Sequence, residues 1–136
     1  MAIRVRIWST DLKVAVTKLD VFGKKLDGTV SETCRKICEQ ILKDSDTIPP
    51  VVPVDTGALQ DSGRVEKDGR GWAVMYGGGS VDYALQVHDD LRQRSYRRPG
   101  AGPKFVEAHY LRRTEGQEAY KEFTSDIEHL IQSTGL

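Results

Sequence analysis

The sequence predicts an α+β fold, with a small antiparallel sheet covered by a long N-terminal helix and a C-terminal helix. Apolar residues recur every three or four positions over about thirty residues near each end of the chain, which is the pattern of amphipathic helices. Between these regions, two short alternating runs flank the turn-forming segment Asp68–Gly71, which is typical of a β-hairpin. The length of 136 residues favours a single domain spanning 1–136.

The composition is that of an ordinary globular chain without a global preference for nucleic acid or membrane. Hydrophobic residues make up 38% and charged residues 29% of the sequence. The 20 Lys and Arg residues balance the 20 Asp and Glu residues, so any preference for an anionic partner must come from a local patch. No apolar run approaches the ~20 residues of a membrane span, and the alternating start does not match a signal peptide. We therefore expect a protein made in a reducing cytoplasm, with no membrane partner.

The N-terminal region is predicted to form a short strand followed by one long helix. Apolar and charged residues alternate over Ala2–Trp8, which indicates a strand with one solvent-facing side. The helical spacing then runs over about residues 10–44 and must stop before Pro49, because the residue preceding a proline disfavours helical backbone. Gly23 and Gly28 lie inside this helix, where each costs about 1 kcal/mol relative to Ala, and they are the candidate positions for a bend or a break.

Residues 49–63 form a corner at which the chain leaves the long helix. The prolines at its start exclude a helix interior and indicate an extended connector. Asp55 is predicted to cap the N-terminus of a short helix, Thr56–Ser62, and Gly63 suits the end of that helix. On this interpretation, Asp55→Ala destabilises the turn by roughly 1 kcal/mol. The residues assigned to the turn and its cap are Pro53, Asp55, Thr56, Gly57 and Gly63.

The second half of the chain is predicted to contain a sheet, a loop and a helical region. The sheet covers residues 64–88 and consists of the hairpin and Val81–His88, although the spacing of this last segment also fits a helical turn. Residues 89–102 have almost no apolar content and form an exposed Arg-rich loop. A C-terminal helical region, 103–134, begins with Pro103 at its first position, and a glycine near its middle marks a place where it can divide.

Residue types suited to catalysis or metal binding do not form a recognisable group in the sequence. The three histidines are far apart, and neither they nor Cys34 and Cys38 show a metal-binding spacing. The two cysteines lie on adjacent turns of the predicted helix and are interpreted as small buried thiols. The segment Gly77–Ser80 lacks the lysine and the spacing of a phosphate-binding loop. No catalytic, cofactor-binding or metal-binding residue is therefore assigned.

The tetrapeptide Asp55–Ala58 supports an alternative function. Its sequence, Asp-Thr-Gly-Ala, resembles the active site of retropepsin-like aspartic proteases, in which each of two subunits contributes one carboxylate and the pair shares a proton. Such enzymes are nearly all β, whereas this chain has helical periodicity on both sides of the tetrapeptide. They also carry a later apolar run that ends in glycine, which has no equivalent in the second half of this chain. A protease dimer acting through Asp55, Thr56 and Gly57 is kept as an alternative.

The Arg-rich loop is the one local basic patch. Asp89 and Asp90 at its start, and Glu107 beyond its end, supply acidic partners for a contact between subunits and dilute the positive field that a nucleic acid would need. Three interpretations remain open: contact with the phosphates and bases of a nucleic acid, a solvated loop, or an arm that hydrogen-bonds to a neighbouring subunit. On the last of these, replacement of Arg94, Arg97 and Arg98 impairs assembly more than folding. The candidate residues for an intersubunit or DNA-facing loop are Arg92, Arg94, Tyr96, Arg97 and Arg98.

Three segments in a fixed order carry a resemblance to a known family. They are Pro53–Leu59 (PVDTGAL), Tyr83–His88 (YALQVH) and Pro103–Phe105 (PKF). Their order and spacing are similar to those of the small neck or tail-completion proteins of tailed bacteriophages, the lambdoid gene-ten-like family and its minor-capsid relatives. The resemblance covers about residues 10–135, and the Arg-rich loop departs from it. The family-motif positions are Tyr83, Ala84, Val87, His88, Pro103 and Phe105.

The resemblance implies a structural protein of the virion that is made in the host cytoplasm. The family consists of ring-forming subunits, often six-fold, that act as neck, tail-terminator or tail-completion proteins at the head–tail junction. The implied partners are further copies of the chain, the head-closure or connector protein and the tail tube protein, with genomic DNA passing through the lumen. No cofactor or catalytic residue is implied. A DNA-binding accessory or minor capsid role is the second alternative, and the strand 2–8 and the loop 89–102 are the candidate intersubunit contacts.

Overall fold

The computed structural model of the chain describes residues 9–92, 95–115 and 118–134. Its elements are α1 (Ser9–Thr47), α2 (Ala58–Asp61), β1 (Arg64–Asp68), β2 (Gly71–Met75), α3 (Ala84–Asp89), α4 (Glu107–Glu115) and α5 (Glu118–Thr134). A long N-terminal helix, a two-stranded antiparallel sheet and C-terminal helices confirm the predicted α+β class. The predicted strand Ala2–Trp8 lies outside the described residues. Within the described ranges, no helix has both the length and the apolar character needed to cross a membrane.

The helix α1 is the longest element and the frame on which the others pack. It has 39 residues, which corresponds to about 58 Å at 1.5 Å per residue. It runs without a break through Gly23 and Gly28, where an added Cβ atom would meet no neighbouring atom. It also continues to Thr47 instead of ending near Asp44, because the first residues that cannot continue it are the prolines that follow Ile48.

The sheet is a single antiparallel hairpin formed by β1 and β2, in which Val65 lies opposite Val74. The two-residue turn between the strands begins with Gly69, whose φ of +58° belongs to the left-handed region that such turns favour. The helix α1 packs against both strands. The indole of Trp72 donates a hydrogen bond of 3.1 Å from Nε1 to Ser31 Oγ, which ties β2 to α1.

The predicted sheet over 64–88 was wrong in its last segment, Val81–His88. Among the described residues, this segment contributes one isolated bridge near its start and then enters the helix α3. The helical alternative is correct because Ala84 and Val87, three residues apart, both reach the apolar core. An extended strand would direct these two side chains to opposite faces.

The apolar core lies between the corner, α3 and the start of α4. It consists of Val52, Leu59, Val81, Ala84 and Phe105, with Tyr76, Val87 and Val106 packed against it. The ring of Phe105 is 1% exposed and meets the ring of Tyr76 edge-on, at 5.3 Å between centroids. Removal of apolar area from water, worth about 25 cal/mol per Å², holds these separate segments together.

The C-terminal helical region begins later than predicted, since Pro103 does not open a helix and α4 starts at Glu107. Before α4, Lys104 adopts a φ of +59°, and its amide donates a 2.7 Å hydrogen bond to His88 O. This turn directs Phe105 into the core, and that packing outweighs the preference of proline for the first helical position. The helices α4 and α5 flank residues 116–117, which are outside the described residues.

Polar contacts fix α4 and α5 on α1. The Asp44 carboxylate accepts hydrogen bonds from Arg113 Nε at 2.6 Å and from Arg112 Nη2 at 2.8 Å. Burial alone would raise the pKa of Asp44, but the two arginines outweigh burial and leave the pKa below its usual value. Nearer the N-terminus of α1, Thr33 donates from Oγ1 to Asp126 Oδ2 at 2.6 Å. These contacts hold the C-terminal helices against the second half of α1.

Candidate functional site

The corner is built differently from the prediction, because Asp55 does not cap a helix. The helix α2 covers Ala58–Asp61, with Gly57 at its N-cap and no side-chain hydrogen bond at the cap. Gly57 has a φ of +89°, a conformation that favours glycine, so the backbone itself makes the turn. Thr56 Oγ1 accepts a 3.3 Å hydrogen bond from the amide of Ala58. The Asp55 side chain is instead 78% exposed and pairs with Arg97 at 2.9 Å.

We expect Asp55→Ala to change the free energy of unfolding by less than about 0.5 kcal/mol, because an exposed ion pair is screened by water. Urea denaturation followed by circular dichroism measures this. Gly57→Ala is the comparison within the same turn, and it should cost about 1–2 kcal/mol because it forces a Cβ atom onto left-handed backbone. Equal losses from the two substitutions would contradict this account and restore a capping role to Asp55.

Gly63 follows α2, as predicted, but for a different reason. A Cβ atom added at Gly63 would lie 2.7 Å from Tyr76 Cε1 and 3.1 Å from Leu42 Cδ1. Glycine is therefore required by the close approach of the tyrosine ring and not by a left-handed backbone. The hydroxyl of Tyr76 lies 2.6 Å from Ser45 Oγ on α1, so this ring fastens the end of the corner to the long helix.

A cleft of about 610 Å³, which we call the corner cleft, brings the corner together with α3 and the Arg-rich loop. It is lined by Pro53, Val54, Asp55, Thr56, Gly57, Leu59, Tyr83, Val87, Ser95, Tyr96 and Arg97. Most of these residues are candidates from the sequence, and the fold collects them from three separate segments. The polar groups are an exposed ion pair, the hydroxyls of a threonine and a serine, and two phenols, which suit contact with a polar protein surface.

Two arginines of the loop are paired with carboxylates on the surface. Arg92 Nη2 lies 2.9 Å from Asp90 Oδ2, and Arg97 Nη1 lies 2.9 Å from Asp55 Oδ1. Each pair reduces the local positive field that a nucleic acid would require. Arg94 lies outside the described residues.

Arg98 has a different environment, because its guanidinium is largely enclosed by the corner. It donates from Nη1 to Val52 O at 3.0 Å and from Nη2 to Asp46 O, and it pairs with Asp46 Oδ1 at 2.9 Å. Beside it, Val51 and Ala101 form a parallel bridge. The prediction of an exposed loop over 89–102 was therefore wrong for Arg98, Ala101 and Gly102, which pack against the connector after α1. Arg97, Pro99 and Gly100 are exposed, as predicted.

Arg98→Ala is expected to lower the free energy of unfolding by about 2 kcal/mol, and Arg97→Ala by less than about 0.5 kcal/mol. Of these two arginines, Arg98 donates to backbone carbonyls, those of Val52 and Asp46, and its removal takes this donor away from both. Urea denaturation of both variants measures the difference. The sequence predicts that these arginines act in assembly more than in folding, and the contacts of Arg98 place it in folding. Equal effects of the two substitutions would contradict this distinction.

The family-motif positions meet at the joint between α3 and α4. Those in the core or packed against it are Ala84, Val87 and Phe105. The His88 ring meets Phe105 edge-on at 5.1 Å. Its Nε2 accepts a 3.3 Å hydrogen bond from the amide of Glu107. Nδ1 is therefore the donor in the second hydrogen bond of the ring, in which Nδ1 and Asp89 Oδ1 are 2.8 Å apart. Tyr83 differs from the others, because it lies on the surface beside the corner cleft.

A second depression, which was not predicted, lies between α1, β2, α4 and α5. We call it the apolar groove, and its volume is about 640 Å³. Its lining includes Cys34, Ile37, Cys38, Ile41, Trp72, Ala73, Val74, Val106, Tyr110, Ala119 and Phe123. Cys34 and Cys38 are half-buried and free, not fully buried as predicted, and burial raises the pKa of the Cys38 thiol. Their position on one helix face with Ile37 and Ile41 was the signal for this surface in the sequence.

The structure bears on the two chemistries weighed from the sequence, metal binding and aspartic proteolysis. Across the described ranges, no group of three or more His, Cys, Asp and Glu side chains could hold a metal ion. The Asp55 carboxylate is exposed and engaged by Arg97. The fold around it is also rich in helix, whereas retropepsin-like enzymes are nearly all β. The buried ring of His109 lies 2.9 Å from Pro50 O through Nε2, which fastens the start of α4 to the corner.

Comparison with protein-family models, with curated proteins and with solved structures gives no match for this chain. Function must therefore be inferred from the motifs in the sequence and from the two surfaces, the corner cleft and the apolar groove.

Proposed function

We propose that this chain is a structural subunit of the head–tail junction of a tailed bacteriophage, where its copies form a ring that acts as a neck or tail-terminator. The observation that carries the proposal is the meeting of the three motif segments in one core. The side chains that meet there are Leu59 from the first segment, Ala84 from the second and Phe105 from the third. Motifs that serve packing, and not chemistry, fit the resemblance to a structural family.

The charges of the Arg-rich loop favour a protein partner over DNA. Arg92 and Arg97 are paired with carboxylates, and the guanidinium of Arg98 is hydrogen-bonded to the backbone of the corner. We therefore assign the corner cleft, with Tyr96 and Arg97 at its edge, to contact with an adjoining ring. The partner in that ring is the head-closure or connector protein, or the tail tube protein. Genomic DNA passes through the lumen without a fixed site on this loop.

Analysis of purified virions tests the proposal. Mass spectrometry should find the chain in every particle, and electron microscopy of particles carrying a tagged chain should place the label at the junction. A nonsense mutant should accumulate filled heads and free tails, and the wild-type chain supplied from a plasmid should restore joined particles. A chain absent from virions, with heads and tails still joined in the mutant, would refute the proposal.

The two alternatives give different results with the purified protein. A DNA-binding accessory protein would bind DNA with an affinity that falls steeply as the salt concentration rises. An aspartic protease would cleave peptides and lose that activity in Asp55→Ala. Undetectable DNA binding and undetectable cleavage are the results expected for the structural subunit.

A further inference from the structure

The first half of α1 carries an apolar face that is largely uncovered. We call it the α1 stripe, and it consists of Val16, Leu19, Phe22, Leu26 and Val30. Val16 and Leu19 are 64% and 63% exposed. At about 100° per residue, they lie on the same side of the helix as Ile37 and Ile41, which are buried against the rest of the fold. One continuous apolar face is therefore covered in the second half of α1 and bare in the first half.

The bare part of the helix is too long to be a frayed end. His129 and Ser133 near the end of α5 lie beside Lys25 and Thr29 of α1, so α5 follows α1 only to about this point. From Val16, the first residue of the stripe, to that point α1 extends for about 14 Å. Isolated helices of this length are marginal in water, and most gain their stability by packing an amphipathic face against another surface. The α1 stripe lacks this packing within the described part of the chain, so it is a candidate surface for a partner.

The apolar groove cannot receive the α1 stripe of its own chain. Leu19 and Ile37 lie about 27 Å apart along one unbroken helix, and Ile37 is itself part of the groove wall. Since a continuous helix cannot fold back onto its own side, the two surfaces can meet only between two copies. The 20 basic and 20 acidic residues of the chain cancel, so copies do not repel one another through net charge.

We propose that the α1 stripe of one copy docks into the apolar groove of the next copy. The inference rests on the proposed ring and names the surfaces that close it. Leu19, Phe22 and Leu26 have the i, i+3 and i+7 spacing with which an amphipathic helix anchors in an apolar groove. Because the stripe and the groove differ, each copy donates one and receives one, which is the head-to-tail contact that a ring requires.

Substitution in the stripe tests the donating surface. Purified wild-type protein should self-associate, and Leu19→Glu should weaken the association constant more than about tenfold, measured by sedimentation velocity. Val21→Glu is the matched control, because Val21 is also exposed, at 46%, but lies about 200° around the helix. It should assemble as the wild type does, and circular dichroism should show both variants folded. A monomeric wild type, or equal effects of the two substitutions, would overturn the proposal.

Substitution in the groove tests the receiving surface. Tyr110 lines the groove and is 53% exposed, whereas its neighbour Leu111 is 39% exposed and does not line it. Tyr110→Glu should therefore block self-association, and Leu111→Glu should not. Mixing Tyr110→Glu with Leu19→Glu should restore a dimer, since the first variant keeps its stripe and the second keeps its groove. Two variants that each stay monomeric and also fail to pair would count against docking of the stripe in the groove.

The native thiols of the groove allow a test that does not depend on loss of assembly. Leu19→Cys, mildly oxidised, should form a disulfide between chains from the introduced thiol to Cys34 or Cys38, identified by peptide mass spectrometry. Val21→Cys should form little of this product, and neither variant should form it when Cys34 and Cys38 are replaced by Ser. Introduced thiols that link only to one another would overturn the proposal in favour of a pairing of α1 with α1.

Failure of this inference and failure of the proposed function give different results. If the chain is found at the head–tail junction but its Leu19→Glu variant still assembles, the docking of the α1 stripe in the apolar groove is refuted. The proposed role at the junction then stands. If the chain is absent from virions but assembles through these two surfaces, the proposed role at the junction is refuted. The interface between the α1 stripe and the apolar groove then stands.

Discussion

Phe105→Ala is expected to lower the free energy of unfolding by about 3–5 kcal/mol, the usual cost of truncating a buried aromatic side chain. Phe105 is 1% exposed and packs with Val52 and Leu59 in the core. Its ring also meets the rings of Tyr76 and His88 edge-on, at 5.3 Å and 5.1 Å between centroids. Each such contact is worth about 0.5–1.5 kcal/mol beyond the burial of area. Equilibrium urea denaturation followed by circular dichroism measures the loss.

Two further variants make the result for Phe105 interpretable. Phe105→Leu keeps most of the apolar volume and should cost less, so it gives a measurable value if Phe105→Ala does not fold. Leu85→Ala removes a large side chain from the surface of α3, where Leu85 is 71% exposed, and should change stability by less than about 0.5 kcal/mol. Similar values for Phe105→Ala and Leu85→Ala would mean that the three motif segments are not held together by this core.

Asp44→Ala is expected to destabilise the protein by about 3 kcal/mol, because it removes the buried carboxylate that accepts hydrogen bonds from Arg112 and from the half-buried Arg113. The side chains of Asp44 and Arg113 are 6% and 18% exposed. Their ion pair holds α4 against α1, and α4 contributes Tyr110 to the apolar groove. We therefore expect weaker self-association together with the loss of stability. Asp20→Ala is the control on the same helix, since the pair of Asp20 with Lys24 is exposed and should contribute less than about 0.5 kcal/mol.

The contribution of Asp44 should also depend on pH. Burial opposes ionisation of this carboxyl, but Arg113 and Arg112 outweigh burial, so the pKa of Asp44 is lower in the folded state than in the unfolded chain. As the pH falls, the unfolded chain takes up the proton first, at a pKa of about 3.9. The contribution is therefore complete above that pH and is lost as the pH falls through the lower pKa of the folded state. The difference in unfolding free energy between wild type and Asp44→Ala should stay constant near neutral pH and shrink below about pH 4. A difference that persists in strong acid would contradict this origin.

The long helix and the hairpin could be predicted because their signals are local. The spacing of apolar residues along α1 depends only on the helical repeat, and the hairpin depends on glycine at a tight turn. The corner also lies where its prolines indicate. The ends of the elements were less accurate, since the start of α4 depends on packing of Phe105 and not on the preference of Pro103 for a helix terminus.

The structural roles of individual residues in the candidate site could not be predicted from the sequence. In the sequence, Asp55, Thr56 and Gly57 fit both a helix cap and a catalytic tripeptide. Only the neighbourhood of Arg97 and the left-handed backbone of Gly57 show that Asp55 is not the cap. Arg97 and Arg98 are adjacent and identical in type, yet one is exposed and the other satisfies carbonyls of the corner. Such differences come from contacts between segments that are far apart in the chain.

Local patterns were thus enough to establish the α+β class, the long helix, the hairpin and the order of the motif segments, because periodicity and turn chemistry act over a few residues. Contacts across the fold were needed to show that the helix α3 begins at Ala84, that Arg98 packs against the corner, and that Tyr76 requires Gly63. They also revealed that one face of α1 is buried at Ile37 and bare at Leu19. The apolar pattern is the same at both positions, and burial depends on which elements lie opposite them in the folded chain.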